Sequence, residues 1–418
     1  MFGKRLKTKL LFFNFRILDL FRNLKISWRT VLAALIFLGC FYCRYQRRQL
    51  DLKDGQLIRI TGALTEEPQT VKGRQNFKLG MIAVITDRYP EFHYGDRLAI
   101  TGRVKKQGSD YRLSHPEILL LQKGQAGFLV GLRNKLREVY RQSLPAPLDG
   151  IVAGVVVGDK NLLPADFWLK LQQTGTLHLM VASGANIAFI SGGLLSLLCF
   201  FFRRRLALIF LIILIWFYSL LAGFEPPIVR AAVMASFTYL AQFFGREAQA
   251  GRVLWLTGAV MIMISPALLT DVGFQLSFLA TAGLIYLQPL LDRIGFNWVP
   301  GKENLTATLA AQAATLPILL TNFGQFNLAS PIINFLVLWP IPYLLPLGMI
   351  LGLAGIGWLK LAQWASVLLL PILLYIAKII TLSASLTFFQ LQLPKPGWWL
   401  GALYYLILIV GLKSFKFK

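Results

Sequence analysis

From residue 126 onward the chain is a succession of apolar runs, each about long enough to cross a bilayer, separated by short basic or proline-bearing breaks. An α-helix rises about 1.5 Å per residue and the hydrocarbon layer is about 30 Å thick, so about 20 apolar residues make one span. Lipid offers no partner for backbone N–H and C=O groups, which forces such runs to be helical. Spans are expected near 178–200, 206–222, 228–244, 253–270, 273–291, 305–321, 330–350, 361–380 and 397–412. Composition agrees: 56% of residues are hydrophobic and 15% charged, against about 25% charged in a soluble domain. That is too little charge to cover a water-facing surface.

Four regions follow. Residues 1–45 hold a long basic head and an apolar run from Val31 to Cys43, read as an uncleaved anchor because no small-residue cleavage site follows it. Residues 46–125 are polar and alternate, with Ile58–Gly62, Phe77–Leu79, Met81–Ile85, Arg97–Val104, Tyr111–Leu113 and Ile118–Leu121 as short strands set between Gly and Asp turns. A five- or six-stranded barrel would hide their edges, and the phrase Gly95–Val104 resembles an OB-fold strand pair. Residues 126–177 are a connector. It contains an amphipathic stretch, Leu129 to Leu144, of the kind that lies on a bilayer surface. It also contains Gly150, Gly154 and Gly158, spaced for close packing of a short re-entrant helix. Residues 178–418 hold the spans. The expected fold is therefore a polytopic α-helical membrane protein with a small OB-like β-barrel insert.

The formal net charge is +24. Two readings fit: basic loops retained in the cytoplasm beside anionic lipid headgroups, or a polyanionic partner such as nucleic acid. Arg203–Arg205, Arg246, Arg252, Arg293 and Lys302 mark one face as cytoplasmic, and the basic head belongs there too, which leaves the insert extracytoplasmic. His93, His115 and His178 are scattered, Cys40 and Cys43 have C-x-x-C spacing but lie, like Cys199, in an apolar run with no second such pair, and no phosphate-binding G-x-x-x-x-G-K-[ST] occurs. No metal, no cofactor and no catalytic group is expected.

Polar groups in apolar runs are expensive and therefore informative. His178, Ser183 and Asn186 stand where one span begins, and Gly184, Ala188, Gly192 and Ser196 recur every four residues, a face for close helix approach. Glu225-Pro226-Pro227 precedes Arg230, which is either ion-paired, snorkelling or facing an aqueous path. Asp271 is placed to cap a helix carrying Gln275 and Ser277. Lys378, alone in a long apolar run, is expected to snorkel.

Gly158-Asp159-Lys160 followed by Thr174–Gly184, then Arg230–Ala235 with Gly245-Arg246-Glu247, then Pro266 with Asp271–Ala280, resemble in order and spacing the blocks of the ComEC family of competence channels. The resemblance covers roughly 50–410, insert included, and implies carriage of single-stranded DNA through the cell membrane during natural transformation. It implies a route lined or braced by Asp159, His178, Ser183, Gly184, Asn186, Glu225, Arg230, Asp271, Gln275 and Ser277. A wet, positively biased gap would lie between the breaks near Ser183, Pro227 and Gly273. In the insert, Lys72, Arg74, Lys78, Arg88, Arg103, Lys105, Lys106 and Arg112 would meet phosphates, and Phe77, Tyr89 or Tyr111 would stack on bases. The family's C-terminal metallo-β-lactamase-like domain has no counterpart here. A separate nuclease and a cytoplasmic motor are therefore expected partners, beside DNA and the lipid bilayer. A small-solute transporter and a membrane scaffold presenting the insert are the alternatives.

Overall fold

The computed structural model describes residues 54–416 except 65–67, 72–73, 80–81, 88, 91, 93–94, 108–109, 115, 124–127, 181, 294–301, 387–389 and 393–396. The anchor expected in residues 1–45 lies outside the described residues. Two units divide the chain: one holds Leu52–Gly258 and Asp271–Lys418, and Ala259–Thr270 is the described part of the other.

Seven strands form the polar region: β1 (Leu57–Ala63), β2 (Gln69–Val71), β3 (Arg74–Leu79), β4 (Ile82–Asp87), β5 (Arg97–Gln107), β6 (Asp110–Ser114) and β7 (Glu117–Gln122). The sheet order is β1-β5-β6-β4-β3-β2, with β7 also on β5. β5 is long enough to serve three partners. Arg97–Arg103 pairs with β1 on one edge, Arg97–Thr101 takes β7 on the other, and Val104–Gln107 continues along β6. Alternation sends Leu98, Ile100 and Val104 inward beside Phe77, Leu79, Val84 and Leu113. Buried Gln75 ties the turn after β4, donating to the carbonyls of Asp87 (3.0 Å) and Pro90 (2.8 Å) and accepting from the Phe92 amide (3.0 Å). The closed barrel of five or six strands is not what forms: no ladder joins β1 to β2 or β3 among the described residues. The sheet curls until a Cβ placed on Gly62 of β1 would lie 3.2 Å from Leu79 Cδ1 of β3. β1 and β3 thus meet through a side chain seated on a glycine, with no hydrogen-bonded seam.

The helical region runs α1 (Phe128–Ser143), α2 (Leu148–Val157), α3 (Ala165–Thr174), a 3-10 turn Leu177–Leu179, α4 (Gly184–Phe201), α5 (Arg204–Leu221), α6 (Pro226–Phe243), α7 (Ala250–Ile264), a 3-10 turn Pro266–Leu269, α8 (Val272–Tyr286) and α9 (Gln288–Leu291). It continues with α10 (Lys302–Phe323), β8 (Gln325–Asn327), α11 (Ser330–Leu338), α12 (Ile341–Gly357), α13 (Leu359–Ala384), β9 (Gln390–Gln392) and α14 (Trp398–Lys416). Most expected spans fall on helix, although the one over 178–200 is α-helical only from Gly184 and the one over 273–291 has a turn at Leu287. Among the described residues, four stretches are long and apolar enough to cross a membrane: Leu177–Phe201, Arg204–Leu221, Val272–Leu291 and Leu359–Ala384. α11 and α12 together would make a fifth, bent by 46°.

Two further expected spans are interrupted, each by proline. The helix expected over 253–270 stops at Ile264, because Pro266 pushes Ser265 out of helical geometry (φ −138°). The span expected over 330–350 breaks after Leu338, since Pro340 and Pro342 have no N–H to extend the ladder of α11. In α10, Pro317 frees the carbonyl of Ala313, and Tyr404 of α14 donates its hydroxyl there (2.8 Å).

α2 is the buried axis of the bundle: all ten of its residues are buried, packed with α1, α11, α12 and α13. Its glycines explain the fit. A Cβ on Gly150 would lie 2.9 Å from the Leu162 backbone, and one on Gly154 would collide with the Met180 carbonyl. The every-four-residue small face of α4 behaves differently. Gly184 is packed, but a Cβ on Gly192 would meet nothing within 4 Å, and Ala188 and Ser196 are exposed. Four residues turn a helix by about 400°, so such a stripe drifts about 40° per step and winds off the contact face. The face that α4 buries carries Asn186, Ile187 and Ser191.

Candidate functional site

The connection from α5 to α6 is set by two left-handed residues in succession, Gly223 (φ 91°) and Phe224 (φ 58°). A phenylalanine there costs about 1–2 kcal/mol, so the surroundings must hold it. Glu225 is extended, and Pro226 and Pro227 open α6, where a missing N–H does no harm. Arg230 follows one turn later. It is 7% exposed, and its Nε and Nη1 have neither hydrogen-bond partner nor solvent surface. Its guanidinium lies over the first residue of α4: a Cβ on Gly184 would sit 2.9 Å from Arg230 Nη2, 3.3 Å from Ala231 Cβ and 3.5 Å from the Pro227 carbonyl. A larger residue there would push the guanidinium aside.

Glu225 does not neutralise Arg230. Its carboxylate takes Lys160 instead (Nζ–Oε1 2.6 Å). Next to Lys160, buried Asp159 pairs with Arg137 of α1 (3.1 Å) and accepts from the Asn161 amide (3.0 Å). Gly158 ends α2 in the left-handed region (φ 69°), and a Cβ there would lie 2.5 Å from the Ala222 carbonyl. Arg133, one turn before Arg137, packs on Gly223. The loops after α2 and before α6 are therefore stitched together, with the basic face of α1 lying on both.

Asn186 joins three helices. Its Nδ2 donates to the Val155 carbonyl (2.8 Å), near the C-terminus of α2 where carbonyls lack helical partners, and to Tyr218 Oη of α5 (3.2 Å). Ser183, half-buried, donates to Asn186 Oδ1 at 3.4 Å. His178 is exposed in its 3-10 turn, flanked by the buried hydroxyls of Thr174 and Thr176, which bond each other at 2.8 Å.

Asp271 caps α8 as expected, accepting from the Phe274 amide (2.7 Å). Gln275 and Ser277 are half-buried. Gly273 is exposed, and a Cβ there would meet only the Asp271 carboxylate. Two of the three breaks thus meet, at Gly184 and Arg230, in a close-packed contact. A hollow of about 520 Å³ opens elsewhere, lined by Gln249, Gly251, Arg252, Trp255, Ile285 and Tyr286.

A second polar cluster was missed in the sequence. Ser330 Oγ accepts from Gln312 (3.0 Å) and Asn334 (3.1 Å) and lies against Gly175, while Asn327 donates to the Gln173 carbonyl (2.7 Å). The signal was present: Gln312, Ser330 and Asn334 are polar residues inside runs expected to span.

In the β region, Arg74, Arg103, Lys105 and Arg112 are exposed. Lys105 is the register partner of Arg112, and Arg103 stands two residues from Lys105, so the three share one sheet face. Arg59, near Arg103 on that face, was not anticipated. Phe77 cannot stack on a base: it is 6% exposed and packs edge-on against Phe92 at 6.1 Å, opposite Val84 inside the sheet. Tyr111 is half-buried against the same core, and Tyr89 is exposed. Lys78 and Lys106 lie on β3 and β5; Lys72 and Arg88 lie outside the described residues.

Apolar helices of spanning length, with proline breaks and an unpaired buried cation between them, define a multi-pass helical membrane protein. Residues 155–418 match the family described as Competence protein, and the chain belongs to that family. It is similar to ComE operon protein 3 of Bacillus subtilis (strain 168), 27% identical over 210 residues, which is 50% of this chain and 27% of that protein. It is similar to Recombination protein 2 of Haemophilus influenzae (strain ATCC 51907 / DSM 11121 / KW20 / Rd), 26% identical over 172 residues, 39% of this chain and 22% of that one. An uncharacterized protein of Aquifex aeolicus (strain VF5) is 29% identical over 228 residues, 54% of this chain and 51% of its own length. The alignments thus span only about a quarter of the first two relatives. No solved structure matches the chain.

Proposed function

We propose that this chain forms the membrane part of a conduit that carries single-stranded DNA across the cell membrane in natural transformation. Membership of the Competence protein family supports the process. One observation supports the route: the buried Arg230 guanidinium, with two unpaired nitrogens, at the contact of two helix breaks. A buried charge without a partner costs several kcal/mol, and such groups in membrane proteins belong to pathways more often than to packing. A phosphate passing this point would supply the missing acceptors. The contact is then the closed state of the route, opened when the stitched loops at Asp159–Lys160 and Gly223–Glu225 part. The β region, on the extracytoplasmic side, receives the strand on the face of Arg59, Arg103, Lys105 and Arg112. A cytoplasmic motor draws it through, and a nuclease removes its complement.

The test is transformation frequency in Arg230→Ala and Arg230→Lys, each checked for equal amounts in the membrane. A charge-assisted interaction of about 3 kcal/mol, once removed, predicts roughly a 100-fold fall for alanine, with lysine retaining part of the activity. Normal transformation by the alanine variant removes Arg230 from the route.

A further inference from the structure

β7 is an edge strand, paired among the described residues only with β5, and it carries Leu119 (61% exposed), Leu120 (48%) and Leu121 (52%) in succession. Successive strand residues point to opposite faces, so the edge is apolar on both sides. The ladder makes this sharper: Arg97 pairs with Gln122 but Leu98 pairs with Leu120, leaving Leu121 as an unpaired bulge residue. Edges that face water are normally short of apolar side chains or guarded by charge, and a contiguous apolar patch marks a surface with a partner.

What lies next along the chain names the partner. Lys123 is exposed directly after the strand, and Arg97 is exposed at its register position. α1 begins at Phe128, itself 78% exposed. From Gln122 to Phe128 the backbone can span at most about 20 Å. α1 is fixed to the membrane region through Leu136, Val139 and Tyr140, and its C-terminus is bonded to α13 by Gln363 to the Gln142 carbonyl (3.3 Å). The leucine edge is therefore tethered close to helices that lie in lipid. Leucines flanked by Lys and Arg are the composition of a segment seated at the headgroup boundary. We infer that β7 docks on the bilayer surface, its leucines entering the interface and its cations meeting lipid phosphates, so that the β region is held down on the membrane at this edge. The inference rests on the membrane reading alone and stands apart from DNA carriage.

Nitroxide accessibility tests it on the full chain in lipid nanodiscs containing anionic lipid. Cys40, Cys43 and Cys199 are replaced by serine, and a single cysteine is placed by Leu119→Cys, Leu121→Cys or, as the water-facing reference, Arg59→Cys. All three positions are exposed or on the sheet surface, and two leucine sites guard against the failure of either variant. Docking predicts that labels at 119 and 121 collide with oxygen severalfold more than with a water-soluble nickel chelate, and that the label at 59 shows the reverse. Nickel access at both leucine sites equal to that at 59 overturns the inference, since the edge is then solvated. Shielding from both reagents overturns it equally, since another protein segment or a second copy then covers the edge.

Discussion

Gly158→Ala tests the packing on which the site depends. Gly158 has φ 69°, where an alanine costs about 1–2 kcal/mol. The added Cβ would also stand 2.5 Å from the Ala222 carbonyl. That obstacle is backbone and cannot swing aside, and overpacking of this kind costs about 1–3 kcal/mol. Together these make about 2–5 kcal/mol, delivered where the loops after α2 and before α6 abut, so the Lys160–Glu225 pair should open as the loops part. Gly192→Ala is the matched control, because its Cβ meets nothing within 4 Å. Both variants are purified in detergent and melted, with loss of the monodisperse peak on gel filtration as the readout. Gly158→Ala should melt well below the parent and Gly192→Ala should match it. A Gly158→Ala protein that melts with the parent refutes the claimed loop contact.

Two further predictions follow from charge. Lys160→Glu or Glu225→Lys alone should lower the melting temperature and transformation, and the double exchange should recover most of both, because the pair at 2.6 Å is half-buried and one-sided removal leaves an uncompensated charge; absence of recovery would show that the pair does not hold the loops. Replacing Arg103, Lys105 and Arg112 with Gln should weaken single-strand binding by the purified chain and flatten its log–log salt dependence by about 2, at about 0.7 for each phosphate no longer neutralised, whereas an unchanged slope would take that sheet face out of DNA binding.

The helices were legible because lipid leaves an apolar run of this length no other option. Their ends were less so: Pro266 and Pro340 broke spans that hydrophobicity alone drew through, although proline chemistry was there to be read. The strands were legible from alternation, but closure was not. Whether β1 seals against β3 depends on where Leu79 comes to rest on Gly62, a contact between residues 17 apart. The site was half visible. Polar residues beside helix breaks could be picked out, and Asp271 as a cap follows from local rules. That Glu225 would choose Lys160, 65 residues away, and leave Arg230 unpaired could not be found from neighbours in sequence. Phe77 was misjudged for a related reason: an aromatic among basic residues looks like a stacking platform until the strand's register turns it inward.

The central claim is that the strand passes the contact of α4 with α6, and crosslinking in transit measures it most directly. A photoreactive amino acid is placed at Ser183, half-buried beside Gly184, or at Phe200, which is 82% exposed on the far turn of α4. Cells that still take up labelled DNA are then illuminated during uptake. Passage at this contact predicts a DNA adduct at 183 and none at 200. Uptake without an adduct at 183, or equal adducts at both positions, would contradict it.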